Sequence, residues 1–190
     1  VTVAGVVLAA GAGTRYVASG GVGHKLLALV DGQPLVVLVQ RAALAAGLDE
    51  VMLVEGALDL SAHCLEGVTL LRNDRWAEGI ATSLQTALGR AAAVGHGAVV
   101  VGLADQPGVA ADDWRTMAAA SDVPPIAVAV RDGRRGNPVR LARAAWPFLP
   151  DTGDEGARAL MRERPDLVQE VPCASPSWDV DTADDLERPS

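Results

Sequence analysis

Arg15 and Lys25 stand at either side of a glycine-strewn segment, "GAGTRYVASGGVGHK", that directly follows the apolar run "VAGVVLAA". Glycines after a strand let a ligand approach the backbone, and free amides there suit an anion, phosphate above all. A tight structural turn is the alternative, but two cations beside the glycines favour phosphate. A dinucleotide fingerprint would use Gly11 and Gly13 but needs a third glycine where Tyr16 stands. Its acid should also follow after about 20 residues, whereas the next strand ends only at Glu55. A Walker A loop fails too, because His24 interrupts the approach to Lys25 and Leu26 stands where Ser or Thr should hold magnesium. The third reading, set against the purely structural turn, is a glycine turn whose amides meet a triphosphate, with Arg15 and Lys25 neutralising it.

Acids and amides recur after the other strands. Asp105, in "VGLADQPGV", comes just past a strongly apolar run. A carboxylate there is costly to desolvate unless it holds a cation or a donor; a turn aspartate before Pro107 is its ordinary role. In "DVDTADDLE", Thr182 and Asp185 read as a T-x-x-D cap and Asp184 suits a helix start, leaving Asp179 and Asp181 in the approach loop. Asn73 and Ser83 are neutral groups of the kind a base or ribose needs, and equally turn or cap residues. "VRDGRRGNPVRLAR" gathers Arg131, Arg134, Arg135, Arg140 and Arg143. That is either a solvated hairpin or a site for an anionic acceptor. Asp154, in "TGDEGARAL", suits a helix N-cap.

The elements that must position these residues alternate along the chain. Strands are expected at "VAGVVLAA", "EVMLVEG", "VTLLRN", "GAVVVGLADQP", "PIAVAV" and "NPVRLA". Helices are expected at "QPLVVLVQRAALAAG", "GIATSLQTALGRAAAVG", "DDWRTMAAAS" with Asp112 as its cap, "EGARALMRERP" and "DTADDLER". The alternation predicts a three-layer parallel sheet with crossovers, its ligands at the carboxyl ends of the strands. The 190 residues suit one domain, 1–190, and with 3% aromatics its core must be built of Val, Leu and Ala. A formal charge of −8 argues against broad nucleic-acid or anionic-membrane binding. Cys64 and Cys173 lack paired spacing and read as reduced cytoplasmic thiols; His24, His63 and His96 lack zinc-ligand spacing. The apolar opening is too short to span a bilayer and reads as a buried strand.

Taken in order, "LAAGAGTR", "KLLALVDGQPLV", "NDRWAEGIATSL", "LADQP", "RRGNPVRL", "GDEGARALM" and "DVDTADDL" resemble the molybdenum cofactor nucleotidyltransferases of the NTP-transferase superfamily. The resemblance spans nearly the whole chain, although the link from Arg15 to Lys25 is longer than the family's usual one. "LAAG" resembles the cytidylyl branch, since guanylyl relatives carry a further glycine where Ala10 stands. The resemblance implies a Rossmann-like three-layer α/β/α nucleotidyltransferase fold with a mostly parallel sheet. It implies transfer of CMP from CTP to the phosphate of molybdopterin, release of pyrophosphate and a need for magnesium (Mg2+). Carried over residue by residue, it assigns Leu8, Ala9, Ala10, Gly11, Gly13, Arg15, Lys25, Asn73 and Ser83 to the nucleotide. Arg15, Lys25 and Asp105 fall to catalysis, Asp105 and Asp181 to the metal, and Asn137, Asp154 and Arg135 to the acceptor. A molybdoenzyme apo-protein would be the downstream partner. Related sequences carry dye or nicotine-derivative oxidoreductase names, so an NAD(P)- or flavin-dependent reductase is the rival enzyme class. A nucleotide- or cofactor-binding chaperone is the non-enzymatic rival.

Overall fold

The computed structural model describes residues 1–176 and 178–187. Seven strands form one sheet in the order β5-β4-β1-β6-β8-β7-β9. These are β1 (Val3–Ala9), β4 (Glu50–Glu55), β5 (Val68–Arg72), β6 (Ala98–Leu103), β7 (Ile126–Arg131), β8 (Arg134–Ala142) and β9 (Val168–Pro172). Leu29–Val30 (β2) and Gln33–Pro34 (β3) form a separate small hairpin. The helices are α1 (Thr14–Ala18), α2 (Leu35–Ala45), α3 (Ile80–Val94), α4 (Ala111–Ala118) and α5 (Ala157–Glu163). Only β8 runs against its neighbours; every other pairing in the large sheet is parallel.

Alternation along each strand divides the core into two layers. On β1, Ala4, Val6 and Leu8 face Leu84, Ala87, Leu88 and Ala91 of α3. Val7 and Ala9 face the other way, toward Val36 and Val39 of α2 and toward Trp114 and Met117 of α4. Trp114 is fully buried and lies over Gly102 and Gly5, whose missing side chains leave room for its ring. So few aromatics suffice because small residues on the strands let helices pack closely. Among the described residues, no helix is long and apolar enough to cross a membrane.

Several boundaries depart from expectation. Asp112 is not a cap: Ala110 holds the N-cap position of α4, and Asp112 lies in the first turn paired with Arg115. Asp154 is not a cap either, since α5 starts after Gly156. The last helix is a 3-10 turn, Ala183–Glu187, but its cap is as read: Asp185 accepts from Thr182 N–H and from Thr182 Oγ1, both at 2.8 Å. The edge strand β9, with its half-polar "VQEVP", carries no apolar run to announce it.

At the amino edge of the sheet, Glu50 accepts from Thr69 Oγ1 at 2.8 Å, His96 Nε2 at 2.9 Å and Arg90 Nη2 at 3.0 Å. Burial works against the charge, but these donors outweigh it and hold the carboxyl below its ordinary value. Glu50→Gln should therefore cost about 2 kcal/mol, because the amide turns a donor toward other donors. A lowered carboxyl value stabilises the fold above the unfolded value of about 4.5, and that contribution is lost as pH falls through the folded one. Urea titrations from pH 7 to 3 should show the variant's deficit shrinking with acid. A constant deficit would mean packing, not charge, is at stake.

Candidate active site

The parallel strands all end on one edge, and the loops they release carry most of the candidate residues. Leu8, Ala9, Ala10 and Gly11 from β1 and its loop line a cavity of about 360 Å³ together with Lys25, Ser83, Asp105 and Asp154. Lys25 lies between Asp105 and Asp181, the two acids that the resemblance assigned to one metal. Its Nζ donates to Asp105 Oδ2 at 2.6 Å and lies 3.7 Å from Asp181 Oδ1, while Arg15 reaches Asp181 Oδ2 at 3.1 Å. Val180 N–H donates to the Asp105 carbonyl at 3.0 Å, and Gln106 donates to Asp179. These bonds seat the 179–181 segment beside the loop that follows β6.

The amides of Gly11, Ala12 and Gly13 have no hydrogen-bond partner among the described residues. Gly13 takes a left-handed turn, φ 66°, which a side chain would strain. Asp105 Oδ1 is buried and also lacks a partner among the described residues. An unpartnered carboxylate oxygen beside a second acid is the donor set a hard divalent cation takes. Among the described residues, no three or more His, Cys, Asp or Glu side chains gather to hold a metal unaided. A cation here needs phosphate and water for its other ligands, as magnesium does beside triphosphates.

A second cavity, about 520 Å³, adjoins the first and shares Leu8, Ile80, Leu103 and Asp154 with it. Its floor is aliphatic, with Leu84, Val101, Val128, Val139, Leu141 and Met161. Arg135, Asn137, Arg158 and Arg162 stand among its polar lining. Arg135 is paired with Glu170 and Arg162 with Glu155, whereas Arg158 has no ion-pair partner among the described residues. Close backbone contact brings Asp154 to the junction: a Cβ on Gly79 would lie 2.4 Å from Gly153.

Other expectations fare differently. Asn73 does not line the cavity. It is buried, its amide donates to Thr82 and Ser83 hydroxyls at 2.9 Å, and its oxygen accepts from Arg75 N–H. It braces Ser83, which does line the cavity. Gly13 and Arg15 flank the cavity rather than line it, and the Arg15 side chain is 81% exposed. Glu55 accepts from Leu60 N–H at 2.6 Å and pairs with Arg72, so it is not free to take a ribose. Sequence reasoning passed over Trp76, Ala12 and Ile80, which all line the nucleotide-sized cavity; an aromatic just after the "RND" turn was the available signal. Burial raises both thiols, Cys173 to about 11, so neither is a thiolate nucleophile near neutral pH.

A mostly parallel sheet with unpartnered loop amides, a lysine between acids and a second cavity beside the first fits an NTP transferase. Residues 5–169 match the MobA-like NTP transferase domain, and the chain belongs to that family. Nicotine blue oxidoreductase of Paenarthrobacter nicotinovorans is 33% identical over 98% of this chain and 95% of its own length. Rv0371c of Mycobacterium tuberculosis H37Rv superposes with a TM-score of 0.80 at 26% identity, covering 97% of this chain and 95% of that one. A manganese complex of Rv0371c superposes at 0.76, again 26% identical, over 97% and 96% of the two chains.

Proposed function

We propose that this nucleotidyltransferase moves CMP from CTP to the phosphate of molybdopterin, releasing pyrophosphate. The observation that carries the reading is the junction of the two cavities at Leu8, Ile80, Leu103 and Asp154, across which a triphosphate on one side would meet an acceptor on the other. An acceptor phosphate oxygen attacks the α-phosphorus, a new P–O bond forms, and the bond to the bridging oxygen breaks. The electron pair leaves with pyrophosphate. Free amides at Gly11, Ala12 and Gly13 bind phosphate oxygens, while Lys25 and Arg15 offset the charge that grows on the leaving group. Asp105 and Asp181 would hold magnesium, which supplies Lewis-acid stabilisation of the phosphates when bound; the manganese complex of Rv0371c supports a divalent metal. Positioning and charge stabilisation are most of what phosphoryl-type transfer asks of a protein. Residues 1–190 would work as one catalytic unit in the cytoplasm.

The cytidine preference rests on Ala10. Ala10 lines the cavity, and its methyl lies close to Gly56, where an added Cβ would come within 2.7 Å of it. A pyrimidine fits beside that methyl more readily than a purine. Incubation with magnesium, molybdopterin and each NTP should show kcat/KM for pyrophosphate release at least about tenfold higher with CTP than with GTP. Equal values would remove the cytidylyl assignment.

Asn137, Arg135 and Asp154 are proposed to meet the acceptor. Asn137→Ala should raise KM for the acceptor about tenfold and spare CTP affinity measured by calorimetry. Lost CTP affinity with normal acceptor use would put this loop on the nucleotide side.

A second reading, a reductase of an apolar dye-like compound, is favoured by the aliphatic floor of the larger cavity and by the 33% identical oxidoreductase. It predicts NAD(P)H oxidation without pyrophosphate. The engagement of Glu55 and the missing third glycine count against it.

A further inference from the structure

His24 interrupts the glycine run just before Lys25, and nothing in the proposed chemistry uses its imidazole. Its contacts define its protonation state. Nε2 lies 3.0 Å from the Gly11 carbonyl, which can only accept, so Nε2 carries the proton. Nδ1 lies 3.2 Å from the Leu26 amide, which can only donate, so Nδ1 is bare. The ring is therefore neutral and held in one tautomer. Burial favours the same state, followed by the charge on Lys25; together they outweigh the Gly11 hydrogen bond and hold the imidazole below its ordinary value.

The two bonds join segments that must act together. Gly11, Ala12, Lys25 and Leu26 all line the smaller cavity. A trans peptide points its C=O and N–H in opposite directions. Anchoring the Gly11 carbonyl on the ring therefore turns the Ala12 N–H away from it, and that amide has no partner among the described residues. On the other side the ring caps the short 3-10 turn Lys25–Leu27 and so fixes the base of the Lys25 side chain. The packing is tight: a Cβ on Gly13 would come within 3.2 Å of Lys25 Cγ and 3.6 Å of the His24 ring.

We infer that His24 is a positioning residue, whose Nε2–H tautomer staples the glycine loop to the Lys25 turn so that loop amides and ammonium engage one triphosphate. The inference rests on the nucleotidyl-transfer reading and adds a residue that touches no substrate.

Asn and Gln separate the two bonds, since the Asn oxygen sits near the position of Nδ1 and the Gln nitrogen near that of Nε2. His24→Asn keeps the acceptor for Leu26 and loses the donor to Gly11; His24→Gln does the reverse. Calorimetry with CTP and magnesium, without acceptor, should show about tenfold weaker binding for each. His24→Ala should be weaker still. In steady state the loss should fall on KM for the nucleotide more than on kcat. Nitrogen-15 NMR of the free wild-type protein, with His24 assigned by its absence in His24→Asn, should show a protonated Nε2 and a bare Nδ1. An Nδ1–H tautomer would overturn the inference whatever the binding data. So would wild-type CTP affinity in both single variants. If the wild-type protein binds neither CTP nor GTP, the nucleotidyl-transfer reading itself fails, and this staple with it.

Discussion

Asp105→Asn should leave the fold intact and lower magnesium-dependent pyrophosphate release about 10²- to 10³-fold. The side chain is nearly isosteric, and the carbonyl that accepts from Val180 is main chain, so the 179–181 segment stays anchored. What changes is charge. The amide removes the strong partner of Lys25 at 2.6 Å and halves the anionic charge offered to a cation. An amide nitrogen also has no use for the buried, unpartnered position of Oδ1, except to repel a metal. Asp181→Asn should act in the same direction but less, because Asp181 is 41% exposed and its remaining oxygen can still ligate. Asp184→Asn is the control. It lies in the first turn of the last 3-10 segment and should cost about 1 kcal/mol of stability or less, with normal turnover. Rates measured on folded variants decide the matter, and near-normal release by Asp105→Asn would falsify a metal-holding role.

Lys25→Met should have two effects of opposite sign. Without the ammonium, the triphosphate loses a cation at its leaving-group end, and kcat/KM for the nucleotide should fall about 10²-fold or more. Without nucleotide, the same ammonium would compete with a metal for Asp105 and Asp181, since it lies within 2.6 and 3.7 Å of them. Its removal leaves Asp105 without an ion-pair partner among the described residues and Asp181 with exposed Arg15, so divalent affinity in the absence of nucleotide should rise about tenfold. Manganese titration followed by electron paramagnetic resonance reads this directly. Weaker manganese binding in the variant would mean that Lys25 builds the acid pair rather than competing for it. A loss of turnover alone would not distinguish these.

The candidate site was legible in its local parts. The glycine turn after "VAGVVLAA", the acid past "GAVVVGL" and the T-x-x-D cap before the last turn are short-range signals, carried by strand period and turn chemistry. The same holds for the alternation of strands with helices along the chain. Asn73 shows where such signals end. Its position after a strand suggested a base contact, but its amide and oxygen are occupied by Thr82, Ser83 and Arg75. Which partners claim a polar side chain depends on how closely the next helix returns, and no spacing encodes that.

By itself, then, the sequence determined the alternating elements, the glycine turn after the first strand and the acids at strand ends, because these follow from residues a few positions apart. Only the tertiary structure decided that Lys25 meets Asp105 across 80 residues and that Arg15 meets Asp181 across 166. It also decided that β8 runs antiparallel, opening its Arg135–Asn137 end onto the carboxyl edge, and that an aliphatic cavity lies there. Those outcomes are set by strand order and helix packing, where the burial of many apolar side chains at once, rather than any local preference, determines which loops become neighbours.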